Sequence, residues 1–188
     1  MDDVAMVVLI EGESDRVALG ALAELCGRDL ERERVNLLPM HGAMNVRKHV
    51  ERLGPHGLGV RLAGLCDANE EGYFRRAVRD AGIGSPLTRA DMEALGFFVC
   101  DADLEAELIR ALGIDGVERV LAGQGELRAF RTFQNQPAQR GRAVEAQLHR
   151  FFGSIGGRKS RYARALLEAL GAQNAPRPLS NLLDYTAR

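Results

Sequence analysis

The sequence predicts an α/β protein whose central, mostly parallel four-stranded sheet is flanked by helices, and three observations carry that prediction. Four short, largely apolar runs, Met6–Ile10, Val35–Met40, Arg61–Cys66 and Phe97–Cys100, read as strands buried on both faces. Segments of helical periodicity separate them, as right-handed βαβ crossovers require. At 188 residues, 46% of them hydrophobic and 27% charged, the chain is long enough to bury the core of one domain.

The first strand ends at Glu11-Gly12, and Val17, Leu19, Leu22, Ala23 and Leu25 then mark one apolar helix face that stops near Gly27. After the second strand, Asn45 to Leu53 reads as a helix closed by Gly54-Pro55. The third strand terminates at Asp67 and leads to a helix over Glu71 to Ala81, then a loop containing Gly84, Ser85 and Pro86. From Asp103 onward the pattern is helical, with breaks at Gly113, Gly123, Gln136-Pro137 and Gly153 to Gly157. The expected organisation is an α/β core over residues 1–122, helices over 123–170 packed on the same domain, and a tail over 171–188. Pro176 and Pro178 predict that the tail is partly ordered at most.

Composition excludes several classes. No apolar run approaches the roughly 20 residues that span a bilayer, and the start Met1-Asp2-Asp3 is acidic where a signal peptide is basic. A cytoplasmic protein without membrane association is expected. Cys26, Cys66 and Cys100 form no CxxC pair and are odd in number, which argues against a disulfide framework and a zinc site. The net charge of −1 hides an asymmetry: residues 1–118 carry 13 Lys+Arg against 22 Asp+Glu, net −9, and residues 119–188 carry 12 against 4, net +8. Lysine occurs only at Lys48 and Lys159, so the positive charge is otherwise arginine.

In open parallel sheets ligands sit outside the carboxyl ends of the strands. Acids crowd at those ends here: Glu11 after the first strand, Asp67 at the third, and Asp101, Asp103 and Glu105 after the fourth, with Asp15 one turn into the first helix. Taken singly, each reads as a helix cap or a favourable charge on a first helical turn. Taken together at three strand ends, they would repel one another unless protonated or bound to a cation, and oxygen ligands suit Mg²⁺ or Mn²⁺.

These residues carry a resemblance. Leu9-Ile10-Glu11-Gly12-Glu13-Ser14-Asp15 after a buried strand, followed by Leu65-Cys66-Asp67-Ala68-Asn69-Glu70, is similar to the Toprim domain of topoisomerases, primases, RecR-type recombination proteins and OLD (overcoming lysogenization defect) nucleases. The turn Pro39-Met40-His41-Gly42-Ala43-Met44-Asn45-Val46, the Asp103-Leu104-Glu105 element and Lys159 with Tyr162-Ala163 resemble the OLD type in particular, over about Val4 to Leu170. The resemblance implies a Rossmann-like Toprim fold and a metal-dependent endonuclease acting on DNA with one or two Mg²⁺ or Mn²⁺ ions. It implies Glu11 and Lys159 as catalytic residues and Glu11, Asp15, Asp67, Asn69, Asp103 and Glu105 as metal ligands. Two ions would clamp an in-line displacement at phosphorus, with lysine adding positive charge.

One departure stands out. Toprim domains usually carry Asp-x-Asp where this chain has Asp67-Ala68-Asn69, which lowers the charge of the site and leaves open a non-catalytic module that binds nucleic acid or a partner protein. Nucleotidyl transfer is a further alternative, without primase-type zinc elements. The chain has no Gly-x-x-x-x-Gly-Lys-Ser/Thr loop, so a stand-alone Toprim protein with a separate ATPase partner is expected. Gly12 and Gly42 form no dinucleotide fingerprint, and a phosphorelay receiver does not match the early acidic pair. Arg158, Lys159 and Arg161, after a glycine-rich turn, read either as a solvated basic face or as a nucleic-acid-binding patch. His41, His49, His56 and His149 show no ligand spacing; His41 alone lies beside a strand end near the acids.

Overall fold

The computed structural model describes residues 4–188; the acidic start over residues 1–3 lies outside the described residues. Four parallel strands, β1 (Met6–Ile10), β2 (Val35–Pro39), β3 (Arg61–Asp67) and β4 (Phe97–Cys100), form a sheet in the order β2-β1-β3-β4. In register, Met6 lies beside both Val35 and Arg61, and Asp67 beside Cys100. The chain leaves β1 in one direction for β2 and returns across it to β3, so the carboxyl ends of β1 and β3 flank the topological switch point.

Side-chain alternation along the strands sorts the interior into two layers. Val8 and Ile10 of β1, Ala63 and Leu65 of β3, and Phe98 and Cys100 of β4 face helices α1 (Glu13–Leu25), α5 (Leu104–Gly123) and α8 (Arg158–Leu170). Val7 and Leu9, Leu62 and Cys66, and Phe97 and Val99 face α2 (Val46–Leu53), α3 (Glu71–Asp80) and α4 (Arg89–Ala94). Gly64 lies where β3 is most crowded, because a Cβ there would sit 2.9 Å from the Phe97 ring and 3.1 Å from the Leu9 carbonyl oxygen. The short helix α4 sits in what the sequence predicts as loop. Thr88 caps it by accepting from Asp91 N–H, and Asp91 returns the bond to Thr88 N–H.

The expected breaks in the C-terminal third fall where helices end or bend. Gly113, at φ 72° and ψ 160°, is non-helical and divides α5 into two helical segments; α6 (Leu127–Gln134) stops before Gln136-Pro137, and α7 (Val144–Phe152) before Gly153. The tail is the correction. Residues 171–188 are not loose: a short 3₁₀ turn leads to α9 (Arg177–Thr186), with Leu179, Leu182 and Leu183 buried in the α1 layer. Pro176 caps that helix and Pro178 occupies its first turn, where no intrahelical N–H is required, so the prolines start a helix instead of preventing one. The Tyr185 ring meets Phe98 of β4 edge-on at 6.1 Å.

Candidate metal centre

Period-two alternation places Asp67 on the same sheet face as Ala63 and Leu65, beneath the α1, α5 and α8 layer. The first turns of those three helices all reach the carboxyl edge there. They supply Asp15 from α1, Glu105 from α5 and Lys159 from α8, which with Glu11 and Asp67 line one small pocket of about 80 Å³. The capping roles expected for two of these acids are realised as well. Asp15 Oδ2 accepts from Gly12 N–H at 2.8 Å, and Asp103, the N-cap of α5, accepts from Ala106 N–H through Oδ1 at 2.8 Å. Asp103 Oδ2 accepts a second bond from His149 Nε2 at 2.6 Å, and Lys159 Nζ donates to Glu105 Oε2 at 3.0 Å.

The preceding turn also belongs to this edge. His41 and Gly42 follow β2 with positive φ, 57° and 115°, the second a conformation that favours glycine. Asn45 Nδ2 donates to the Met40 and His41 carbonyl oxygens, and Gly42 N–H reaches the Glu11 carbonyl, so this turn braces the end of β1.

Crowded carboxylates raise one another. Burial pushes Asp15 up to about 6, with Glu105 and Glu11 adding to the effect. Burial, then Glu11, Asp15, Asp103 and Glu105, push Asp67 up to about 8. Glu11 is raised by burial and by Glu70. Asp103 runs the other way: burial would raise it, but the bonds from His149 and Ala106 hold it below the usual carboxylate range. His149 is raised by the same bond, and Lys159, despite burial, is raised by Glu105.

A divalent cation fits this donor set. Apart from Lys159, every charged side chain lining the pocket is a carboxylate, and Glu105 Oε1 is buried with no hydrogen-bond partner. A buried, unsatisfied carboxylate oxygen among like charges is costly unless a cation or a proton neutralises it. Glu11, Asp15, Asp67 and Glu105, with Asp103 beside them, are the residues that would hold such an ion.

Other expected site residues lie elsewhere. Asn69 is exposed in the turn after β3, where the chain is already heading to α3 on the opposite face, and it does not line the pocket. Asp101 points outward towards Arg110. Arg158 is buried: it stacks on Phe151 at 4.1 Å, donates to Phe151 O and Ser154 Oγ, and pairs with Glu126. Arg161 is shared with Glu126 as well. Of the basic trio, Lys159 alone lines the pocket. His41 is exposed and outside the pocket, whereas His149, set aside by the spacing argument, is in contact with Asp103. Beyond Asp103 and His149, a groove of about 610 Å³ runs between α5 and α7, past Ile109, the Gly113 kink and Arg150.

Residues 5–68 match the family model of the overcoming lysogenization defect protein-like TOPRIM domain. The C-terminal region of the Burkholderia pseudomallei OLD protein superposes with a TM-score of 0.72 at 23% identity, covering 98% of this chain and 97% of that one. The C-terminal region of the Xanthomonas campestris pv. campestris OLD protein gives 0.70 at 25% identity in a mercury-phased structure and 0.69 at 26% in an iodine-phased one, each covering 100% of this chain and 98% of that one. No curated protein matches in sequence. Residues 5–68 therefore lie in an OLD-like Toprim domain, and the chain as a whole has the architecture of the C-terminal region of OLD proteins.

Proposed function

We propose that the chain is a divalent-cation-dependent nuclease that cleaves DNA phosphodiesters, with a separate ATPase as its partner. The observation that carries this reading is the convergence of Glu11, Asp15, Asp67 and Glu105 with Lys159 around one pocket at the switch point of the sheet. Mg²⁺ or Mn²⁺, as one ion or two, would supply Lewis-acid polarisation of a phosphoryl oxygen.

The chain's own groups supply the rest. Lys159, with its pKa raised, keeps its charge at neutral pH and offers N–H donors to phosphoryl oxygens that gain negative charge in the transition state. Glu11, half-buried and raised above an ordinary glutamate, is suited to accept a proton at its carboxylate and return it. Asp15 and Asp103 are fixed by backbone N–H groups, so the edge they form is preorganised. The duplex is gripped by exposed arginines without an acidic partner among the described residues, Arg140, Arg142 and Arg150, the last on the rim of the groove beside His149.

Plasmid nicking by the purified protein with Mn²⁺ or Mg²⁺ tests this, with Glu11→Ala as the control. Cleavage by the parent and none by the variant is expected; equal activity overturns the reading. Asn69 favours a second reading, a non-catalytic module that binds nucleic acid or protein, because it withholds the second carboxylate of the usual Asp-x-Asp. Calorimetric titration with Mn²⁺ separates the two, since the second reading expects no strong site.

A further inference from the structure

We propose that His149 is a metal ligand: with Asp103 and Glu105 it forms a mixed oxygen and nitrogen site that takes a transition-metal divalent cation in preference to Mg²⁺. The inference rests on reading the sheet edge as a metal centre, and it does not require DNA cleavage.

One ligand atom from each of the three residues lies within 4.8 Å of the other two. Each stands on a regular element: Asp103 caps α5, Glu105 is the second residue of that helix, and His149 lies on α7, which packs against it. A second observation points to a ligand. Glu105 is buried, its Oε2 is taken by Lys159, and its Oε1 has no partner at all. An ion that engaged Oε1 would satisfy an atom the protein leaves unsatisfied.

The donor set then decides which ion. Mg²⁺ takes hard oxygen ligands, keeps several waters and gains little from an imidazole. Imidazole nitrogen suits later first-row divalent ions, whose affinity for mixed sites rises along the Irving–Williams order. The expected second carboxylate of the β3 turn is Asn69, exposed and away from the pocket, so a nitrogen donor from α7 adds a ligand that the strand end does not supply. In the metal-free protein His149 Nε2–H donates to Asp103; on binding, that proton leaves to solvent and the nitrogen lone pair goes to the cation.

The competing role for His149 is to position Asp103 through their hydrogen bond. Pulsed electron paramagnetic resonance on the Mn²⁺-bound full chain distinguishes the two, because a directly bound imidazole gives a far stronger ¹⁴N coupling than one hydrogen-bonded to a ligand, and it is that direct coupling which is read. Direct coupling is expected in the parent protein and is expected to vanish in His149→Ala and in His149→Gln, the second of which keeps a donor towards Asp103. Co²⁺ affinity should fall at least about tenfold in both variants, while Mg²⁺ affinity should change less than about threefold. Mn²⁺ bound without direct ¹⁴N coupling in the parent would overturn the inference and leave the metal centre standing. No bound Mn²⁺ would overturn both.

Discussion

Lys159 Nζ donates to Glu105 Oε2 at 3.0 Å, joining the first turn of α8 to the first turn of α5 across 54 residues of sequence. The two partners are unequal: the Glu105 side chain is 6% exposed and that of Lys159 44%. Lys159 is thus the internal cation that makes a buried carboxylate tolerable in the metal-free protein. Lys159→Met should destabilise that form by about 1–2 kcal/mol, less than breaking a fully buried pair because the ammonium is half solvated. Urea unfolding at neutral pH with a chelator present measures it. Saturating Mn²⁺ should narrow the gap, since an ion bound to the folded state alone stabilises it by mass action and takes over the neutralisation.

The stability of the metal-free protein should fall as pH rises. Asp15 and Asp67, at about 6 and about 8, titrate above their unfolded values, so the folded state binds more protons in between. Their contribution is complete below the unfolded carboxylate range and is lost as pH climbs through about 6 and then about 8. Glu11 and His149, both raised, act in the same sense, and Asp103, lowered, acts oppositely and only in acid. A thermal unfolding series from pH 5 to 9 with chelator should show a decline on the order of a few kcal/mol. Asp67→Asn removes the most strongly raised of these carboxyls and should flatten the curve, stabilising the metal-free protein at alkaline pH while weakening Mn²⁺ binding. A flat curve in the parent protein would contradict this account.

The strands and the carboxylates at their ends were legible because both are local: a short apolar run stops at an acid, and the sheet rule says where that acid must lie. Asp67 could be aimed at the α1 layer by counting in twos from Leu65. His149 was not legible, because it meets Asp103 only through tertiary packing 46 residues away, with no ligand spacing to flag it. Arg158 reads as surface in a basic run, yet the turn before α8 folds its guanidinium onto Phe151 and Glu126, a result set by aromatic packing that charge patterning does not contain. Pro176 and Pro178 look like breakers, and only their place at the first turn of α9 makes them starters.

That last helix is a structural component of the sheet layer. Leu182 is 1% exposed, on a helix that packs against α1, β3 and β4. Leu182→Ala should cost about 2–5 kcal/mol by the combined loss of transfer free energy and the cavity left behind. Chemical denaturation reads the change directly, and a shift below about 0.5 kcal/mol would mean that α9 is not docked in solution.

The charge asymmetry between the two parts of the sequence is partly consumed inside the molecule, and under the proposed function this sets the salt dependence expected of DNA binding. Arg164 of α8 reaches back to Glu24 of α1, Arg131 pairs with Glu118, and Arg158 and Arg161 share Glu126. Those arginines bring no free counterion-releasing charge to a phosphate backbone. Arg140 and Arg142 bond only to backbone carbonyls in their own turn, and Arg150 stands exposed on the groove rim. Each phosphate contact contributes a slope of about −0.9 to the logarithm of the duplex-DNA binding constant against the logarithm of salt. Replacing Arg140 and Arg142 together by Gln should therefore make that slope shallower by nearly two units, whereas Arg161→Gln should leave it unchanged. Fluorescence anisotropy of a labelled duplex across a salt series, with Ca²⁺ in place of a catalytic ion, measures both. A slope that responds to Arg161 and ignores Arg140 and Arg142 would return the DNA-binding surface to the start of α8.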